Sequence, residues 1–318
     1  MIDFSKGVAS KHDRPRQGAA PTWLWVVSRE STARSACFAI FVGLTLAVFS
    51  TPVSMLIGFS FQIQNHHYSH VVLVPLVSAS LLLLGRKRIF SHVETRWGAG
   101  VGLLVGGALL YSLGQGYSAS LSENDHLSIM ILSVVIIWIG GFVLCYGIRA
   151  FRSGLFPVLF LFLMVPIPDI FLNRVIFWLQ TGSAEVSYAM FQLLGIPVFR
   201  TGFTFALPGV TIEVAKQCSG IRSSLALLIT SLLAGHIFLR SPWRIAALTL
   251  AALPLLVVKN GIRIVSLSLL SIYVDPGFLT GSLHHDGGVV FFLLALVLLA
   301  PVLLFLQRSE QEVTKVVS

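Results

Sequence analysis

Charge is what this chain lacks most. Asp, Glu, Lys and Arg make up 11% of its 318 residues, about half the share of a soluble protein. Hydrophobic residues reach 55% and the mean hydropathy is +0.86. A globule in water has too little interior to hide that much apolar surface, so the solvent for most of the chain is lipid. Cysteine is also scarce, at three residues, which excludes a secreted scaffold built from disulfides. The same composition excludes disorder, fibres and repeat solenoids. Acidic residues number 13 against 22 Lys and Arg, a net charge of +9. In a membrane protein such an excess marks cytoplasmic loops, not a nucleic-acid surface, so no nucleic-acid partner is expected.

What is present is a series of long apolar runs. A helix crossing ~30 Å of hydrocarbon at ~1.5 Å per residue needs about 20 mostly apolar residues. Charge-poor stretches run over 35–61, 71–85, 97–122, 127–148, 153–168, 223–239, 245–258 and 287–306. They predict an all-α polytopic membrane protein of about eight transmembrane helices. In the third stretch, Gly98, Gly102 and Gly106 recur at a spacing suited to close helix packing. Pro166 and Pro168 end the fifth.

Direction follows from the basic residues. Lys6, Lys11, Arg14, Arg16, Arg29 and Arg34 precede the first span, as a tail expected to stay attached because no small-residue cleavage site follows it. Arg86-Lys87-Arg88 with Arg96, Arg149 with Arg152, and Arg240 with Arg244 then fall at every second connection, while 62–70 and 123–126 hold no Lys or Arg. The positive-inside rule places both termini in the cytoplasm. Residues 1–34 are then a basic cytoplasmic tail, 35–307 the multispanning domain and 308–318 a second cytoplasmic tail.

Two outward regions break the pattern. In 169–222, the stretch 173–194 reads as an amphipathic helix lying along the interface, with Phe177, Trp178 and Phe191 among polar residues. The following 198–214 holds β-like runs around a turn at Leu207-Pro208-Gly209, giving a partly irregular extracytoplasmic segment. In 259–286, the uncharged run 264–274 is too short to span and reads as a partial or extended helix with a loop. A ninth span there would put the C-terminus outside.

The candidate chemistry gathers on that outward face. Cys37 and Cys145 read as small buried hydrophobes. Cys218 differs, in the run Lys216, Cys218, Ser219, Gly220, Ile221, Arg222 at a helix N-terminus. Unpaired amides, the helix dipole and Arg222 all favour a thiolate there, and hence a nucleophile. Asn260-Gly261-Ile262-Arg263 ends the seventh span. Arg263 reads either as a snorkelling interfacial cation or as a donor to an oxyanion or a substrate carboxylate. His284-His285-Asp286-Gly287-Gly288 precedes the last span, and a neutral imidazole suits removal of a thiol proton near pH 7. His66-His67-Tyr68-Ser69-His70 adds three histidines, but no metal site is expected, since no helical His-x-x-x-His with an acidic partner appears. No cofactor is expected either.

Taken together these residues resemble the exosortase/archaeosortase family of membrane-embedded cysteine transpeptidases. The resemblance runs from about Tyr68 to Phe292. It takes in Tyr68-Ser69-His70 with Leu73-Val74-Pro75, Phe156-Pro157 through Pro166-Ile167-Pro168, and Gly195-Ile196-Pro197-Val198 with Arg200 and Gly202. Glu213-Val214, Cys218-Ser219-Gly220-Ile221-Arg222, Asn260-Gly261-Ile262-Arg263 and the 284–288 segment complete it. The resemblance implies cleavage of a C-terminal sorting tail (a PEP-CTERM-like motif, a transmembrane helix and a basic end) through a Cys thioester. The new C-terminus passes to a surface acceptor of unidentified chemistry, in bacteria with exopolysaccharide systems. The implied location is the inner membrane, with the site facing the periplasm and the partners being tail-anchored substrate proteins and the lipid bilayer. Cys218 would be nucleophile, His284 the general acid/base and Arg263 the electrostatic stabiliser, with Arg222, Asn260, His285, His70, Ser219 and Gly220 in support. His284 is preferred to His285 because it keeps a histidine-two residues-glycine-glycine spacing. The rival classes are a transporter, which needs polar residues near the bilayer midplane, and a non-catalytic polysaccharide-assembly component.

Overall fold

The computed structural model describes residues 22–61, 68–91, 97–279 and 288–317, the side chains of 22–31, 217, 218, 279 and 313–317 excepted. In chain order its helices are α1 (Thr22–Val48), α2 (Ser50–Phe61), α3 (Leu73–Leu84), α4 (Arg86–Ile89), α5 (Trp97–Gly116), α6 (Glu123–Ser153), α7 (Leu155–Phe160), α8 (Asp169–Leu193), α9 (Ile221–Phe238), α10 (Pro242–Tyr273) and α11 (Gly288–Val317). α1 begins inside the stretch expected to be a tail.

Among the described residues five helices are long and apolar enough to cross a membrane: α5, α6, α9, α10 and the Gly288–Glu312 part of α11. Two bent pairs raise the number to seven, and α3 is a shorter apolar helix. The chain is therefore a multi-pass membrane protein, with five to seven candidate spans by length and composition among the described residues. The expected first span is broken: its two halves meet at 79° between Val48 and Ser50. Pro52 has no N–H for the Val48 carbonyl and its ring crowds that carbonyl, so a straight helix cannot pass. The segment Leu155–Met164 meets α8 at 89°. Pro166 and Pro168 push the residues before them into extended backbone, and Val165 accordingly has ψ 123°.

α6 is the axis of the first bundle. It is the most enclosed of the candidate spans, packed by α1, α2 and α5. Glycine decides how closely α5 approaches. A Cβ on Gly100 would fall 2.5 Å from Leu144, and one on Gly107 2.6 Å from Ile137. These two and Gly114 are the buried glycines of α5. The expected packing stripe is a correction: Gly98, Gly102 and Gly106 have nothing within 4 Å of a built Cβ. At 3.6 residues per turn they fall on the other side of the helix from Gly100, Gly107 and Gly114.

The second bundle is built on α10, which contacts α8, α9 and α11. α10 runs 32 residues without interruption, so the short run 264–274 is the extension of the seventh span, not a separate element. At ~1.5 Å per residue the helix is ~48 Å long and exceeds the ~30 Å hydrocarbon core. α8 buries Leu172, Leu179 and Phe191 and, with them, the polar Gln180, Ser183 and Ser187, while Ile170, Phe171, Phe177 and Trp178 are exposed.

The all-α expectation holds except for one small sheet after α8. Strands β1 (Phe199–Thr201), β2 (Thr204–Leu207) and β3 (Val210–Glu213) pair antiparallel in sequence order. Leu207 pairs with Val210 across the expected Pro208-Gly209 turn, where Gly209 takes φ +77°, a conformation that glycine adopts without strain. Phe205 and Leu207 pack with Phe191 of α8 and Val265 of α10. Arg200 fixes the outer edge, bonding Glu185 at 2.9 Å and the Gly202 carbonyl at 2.8 Å.

Candidate active site

The chain leaves β3 and is held against α8, where the Gln180 side-chain amide donates to the Val214 carbonyl. A 3-10 turn, Lys216–Ser219, follows and is packed on α8. Gly220 then takes φ +72° and ψ +18° as the N-cap of α9. This left-handed step suits glycine and lets the backbone turn sharply from the 3-10 segment into a membrane helix. Cys218 lies by its backbone inside that turn, two residues ahead of Gly220. Ser219 is fully buried. The Gly220 carbonyl accepts from the Ser224 amide at 2.9 Å and from Ser223 Oγ at 3.1 Å.

α10 closes the other side. Lys259 and Asn260 are each 1% exposed, although they stand in the middle of a helix in a membrane protein. Lys259 Nζ donates to Ser223 Oγ, so a bonded path runs from the ammonium through Ser223 to the Gly220 carbonyl. Asn260 Nδ2 donates to Ser183 Oγ of α8 at 2.9 Å. A Cβ on Gly220 would lie 2.8 Å from Asn260 Oδ1 and 3.4 Å from Lys259 Nζ. α8 comes this close because Gly261 lacks a side chain: its Cβ would fall 2.5 Å from Val186. Arg263 is half-buried one turn beyond Lys259, on the same face of α10.

Of the residues expected at the site, Ser219, Gly220 and Asn260 are brought together around the Cys218 turn. Arg222 sits in the first turn of α9 with its side chain exposed. His70 is elsewhere, half-buried on a cavity of about 250 Å³ that it shares with Tyr68, Ile167, Leu225, Leu228 and Thr249. His66, His67, His284 and His285 lie outside the described residues. Cys37 departs from the expected burial: it is exposed on α1, while Cys145 is half-buried with its thiol in hydrogen-bonding reach of Cys37.

Sequence reasoning missed Lys259 as part of the site, together with its partner Ser223 and the α8 groups Gln180 and Ser183. Two signals were available. A lysine inside a helix that continues as apolar chain is costly unless it faces protein or a cavity. Ser183 and Ser187 recur at i, i+4, which marks one helix face. The hydroxyls of Ser187, Ser219 and Ser224 are buried and have no hydrogen-bond partner among the described residues.

A second polar network borders the cavity. Tyr68 Oη donates to Asn124 Oδ1 at 2.5 Å, and Asn124 Nδ2 donates to Asp169 Oδ1 and to the Ile167 carbonyl, both at 2.9 Å. Ser122 Oγ donates to Asp169 Oδ2 at 2.6 Å, and the Asp169 amide to Asp125 Oδ1 at 2.7 Å. The network ties the start of α6 to the start of α8. Burial, and after it the Asp169 carboxylate, push the Tyr68 phenol above its ordinary range, so it remains a neutral donor.

The turn is thus an electropositive place. Lys216 lies within it, Arg222 in the first turn of the helix that follows, and Lys259 and Arg263 on one face of α10, which packs on that helix; the amides of a helix N-terminus add to the positive field. Such surroundings favour a thiolate over a thiol. The fold and this turn define a multi-pass helical membrane protein with a cysteine at the head of one of its membrane helices. The family model of transmembrane exosortases (Exosortase_EpsH) matches residues 62–301, and the chain belongs to that family. No curated protein and no solved structure matches it.

Proposed function

We propose that this exosortase is a cysteine transpeptidase that cleaves the C-terminal sorting tails of exported proteins at the membrane edge. The observation that carries the reading is the packing of buried Lys259 and Asn260 of α10 against Gly220, two residues after Cys218. A buried cation beside the head of a membrane helix supports a nucleophile there. In this mechanism the Cys218 thiolate attacks the scissile carbonyl carbon. The oxyanion that forms is met by Arg263. The C–N bond breaks, His284 gives its proton to the leaving amine, and a thioester remains on Cys218. A surface acceptor then attacks the thioester carbonyl carbon while His284 takes the acceptor's proton, the C–S bond breaks, and the Cys218 thiolate and protonated His284 are restored.

The substrates on this reading are proteins held in the bilayer by a PEP-CTERM-like tail, and the membrane is the bacterial inner membrane with the site on its periplasmic side. A substrate anchored by its own helix must be cut near the membrane boundary. The position of Cys218 in the turn that leads into a membrane helix supports this reading.

The test is processing of a tail-bearing substrate in cells. Cys218→Ala abolishes processing at unchanged membrane levels, and Cys218→Ser is severely impaired, because a hydroxyl is the weaker nucleophile without a base tuned to it. Cys37→Ala and Cys145→Ala remain active. Processing by the Cys218→Ala protein sinks the enzyme reading and leaves a transporter or a polysaccharide-assembly scaffold.

A further inference from the structure

Lys259 is a buried cation without a carboxylate. The ion pairs seen among the described residues are Arg200–Glu185 and Arg244–Glu310, and neither involves it. Its Nζ is bonded to Ser223 Oγ and stands close to the Gly220 Cα–Cβ direction. Arg263, one turn on, adds a like charge. An ammonium so placed is retained at a cost in solvation unless an anion faces it. The residues it faces, Gly220 and Ser223, begin the helix that follows the turn carrying Cys218.

We infer that Lys259 is an electrostatic positioning residue of the nucleophile, whose ammonium holds Cys218 as a thiolate in the resting enzyme. The inference rests on Cys218 being the nucleophile. Ionisation releases the thiol proton to water, and the charge left on sulfur is balanced by the Lys259 ammonium. The Ser223 bond keeps that ammonium at the head of α9, where the helix dipole acts in the same direction. The other charged or titratable groups on the elements packed around the turn are Lys216 within it, Arg222 and His236 on α9, Arg244 and Arg263 on α10, Glu213 at the end of β3, and Asp169, Arg174 and Glu185 on α8. Arg244 is paired with Glu310, Asp169 accepts from Ser122 and Asn124, and His236 stacks on Phe156. Glu185 is bonded to Arg200, and Glu213 is exposed. Lys259 is thus the most deeply buried charge of the set, and the one least screened by solvent.

The test is the pH dependence of Cys218 alkylation by iodoacetamide, followed by mass spectrometry in the full-length Cys37→Ala, Cys145→Ala protein. The midpoint is expected below the ~8.5 of an ordinary thiol. Lys259→Met raises it by about one pH unit or more, so that alkylation at pH 7 slows about tenfold, while the rate at high pH stays that of the parent. That shared plateau shows that the site is folded and reachable. Lys259→Gln takes its place if the methionine variant does not reach the membrane. Lys259→Arg, which keeps the charge, keeps the low midpoint. An unchanged midpoint in the neutral variants overturns the inference, and so does a parent midpoint at or above that of an ordinary thiol. Processing by Cys218→Ala overturns the functional reading instead, whatever the alkylation profile shows.

Discussion

Gly220 and Asn260 meet so closely that a single added carbon on the glycine would lie 2.8 Å from the asparagine Oδ1. The contact locks the head of α9 to the middle of α10, and Ser183 holds Asn260 from behind at 2.9 Å. Gly220→Ala must place a Cβ in this gap and hold φ +72°, a left-handed conformation that costs a non-glycine residue about 1–2 kcal/mol. The expected outcome is a protein present in the membrane that has lost most of its processing, because the turn carrying Cys218 is displaced. Normal processing by Gly220→Ala, read from the ratio of cleaved to uncleaved substrate, shows that the turn does not need this packing.

Much of that turn was legible in the sequence because its parts are local. Gly220, Ser219 and the N-terminus of α9 follow from a few consecutive residues, and the Pro208-Gly209 hairpin likewise. Lys259 was not legible as a partner of Ser223, since 36 residues separate them and only the antiparallel packing of α9 on α10 brings them together. The bend in the first candidate span was not legible for a local reason: Pro52 falls where an apolar run continues, and hydropathy does not register a missing N–H. The glycines of α5 failed because spacing alone does not say which side of a helix meets a neighbour.

That last difference supplies a test of the fold. Gly107→Leu drives a side chain into Ile137 of α6 and is expected to lower the amount of folded protein sharply. Gly102→Leu points away from the described residues and is expected to leave it unchanged. Thermal aggregation of the detergent-purified proteins distinguishes the two. Equal stability means that the α5–α6 seam runs elsewhere.

The direction of the chain rests on its Lys/Arg alternation. Reporter fusions are expected to place the N-terminus and Ser318 inside and the region around Ser183 outside. An external C-terminus reverses the parity of the spans after Ser183 and requires the residues between α10 and α11 to be re-assigned.

The doubled histidine admits a test independent of the geometry. His284→Asn is expected to be inactive in tail processing, and His285→Asn to retain substantial activity. The reverse result moves the acid/base role by one residue and keeps the mechanism. Activity in both single variants removes histidine from it.

Arg263 separates charge from shape. It stands one helical turn from Lys259, so the site already has an ammonium, and a second positive head alone adds little that is new. Its planar guanidinium presents donors in fixed directions, which an ammonium cannot reproduce. If those donors meet the tetrahedral oxyanion, Arg263→Lys keeps the charge and loses the alignment, at a rate cost on the order of a hundredfold. Membrane levels are expected to stay normal and crosslinking to a tail-bearing substrate to persist, so that the loss falls on the chemical step. If Arg263 is instead an interfacial cation that reaches for the headgroups, lysine serves almost as well. Near-normal turnover by Arg263→Lys therefore assigns the residue to the membrane boundary and leaves Lys259, Asn260 and the amides at the head of α9 as the groups around the reacting carbonyl.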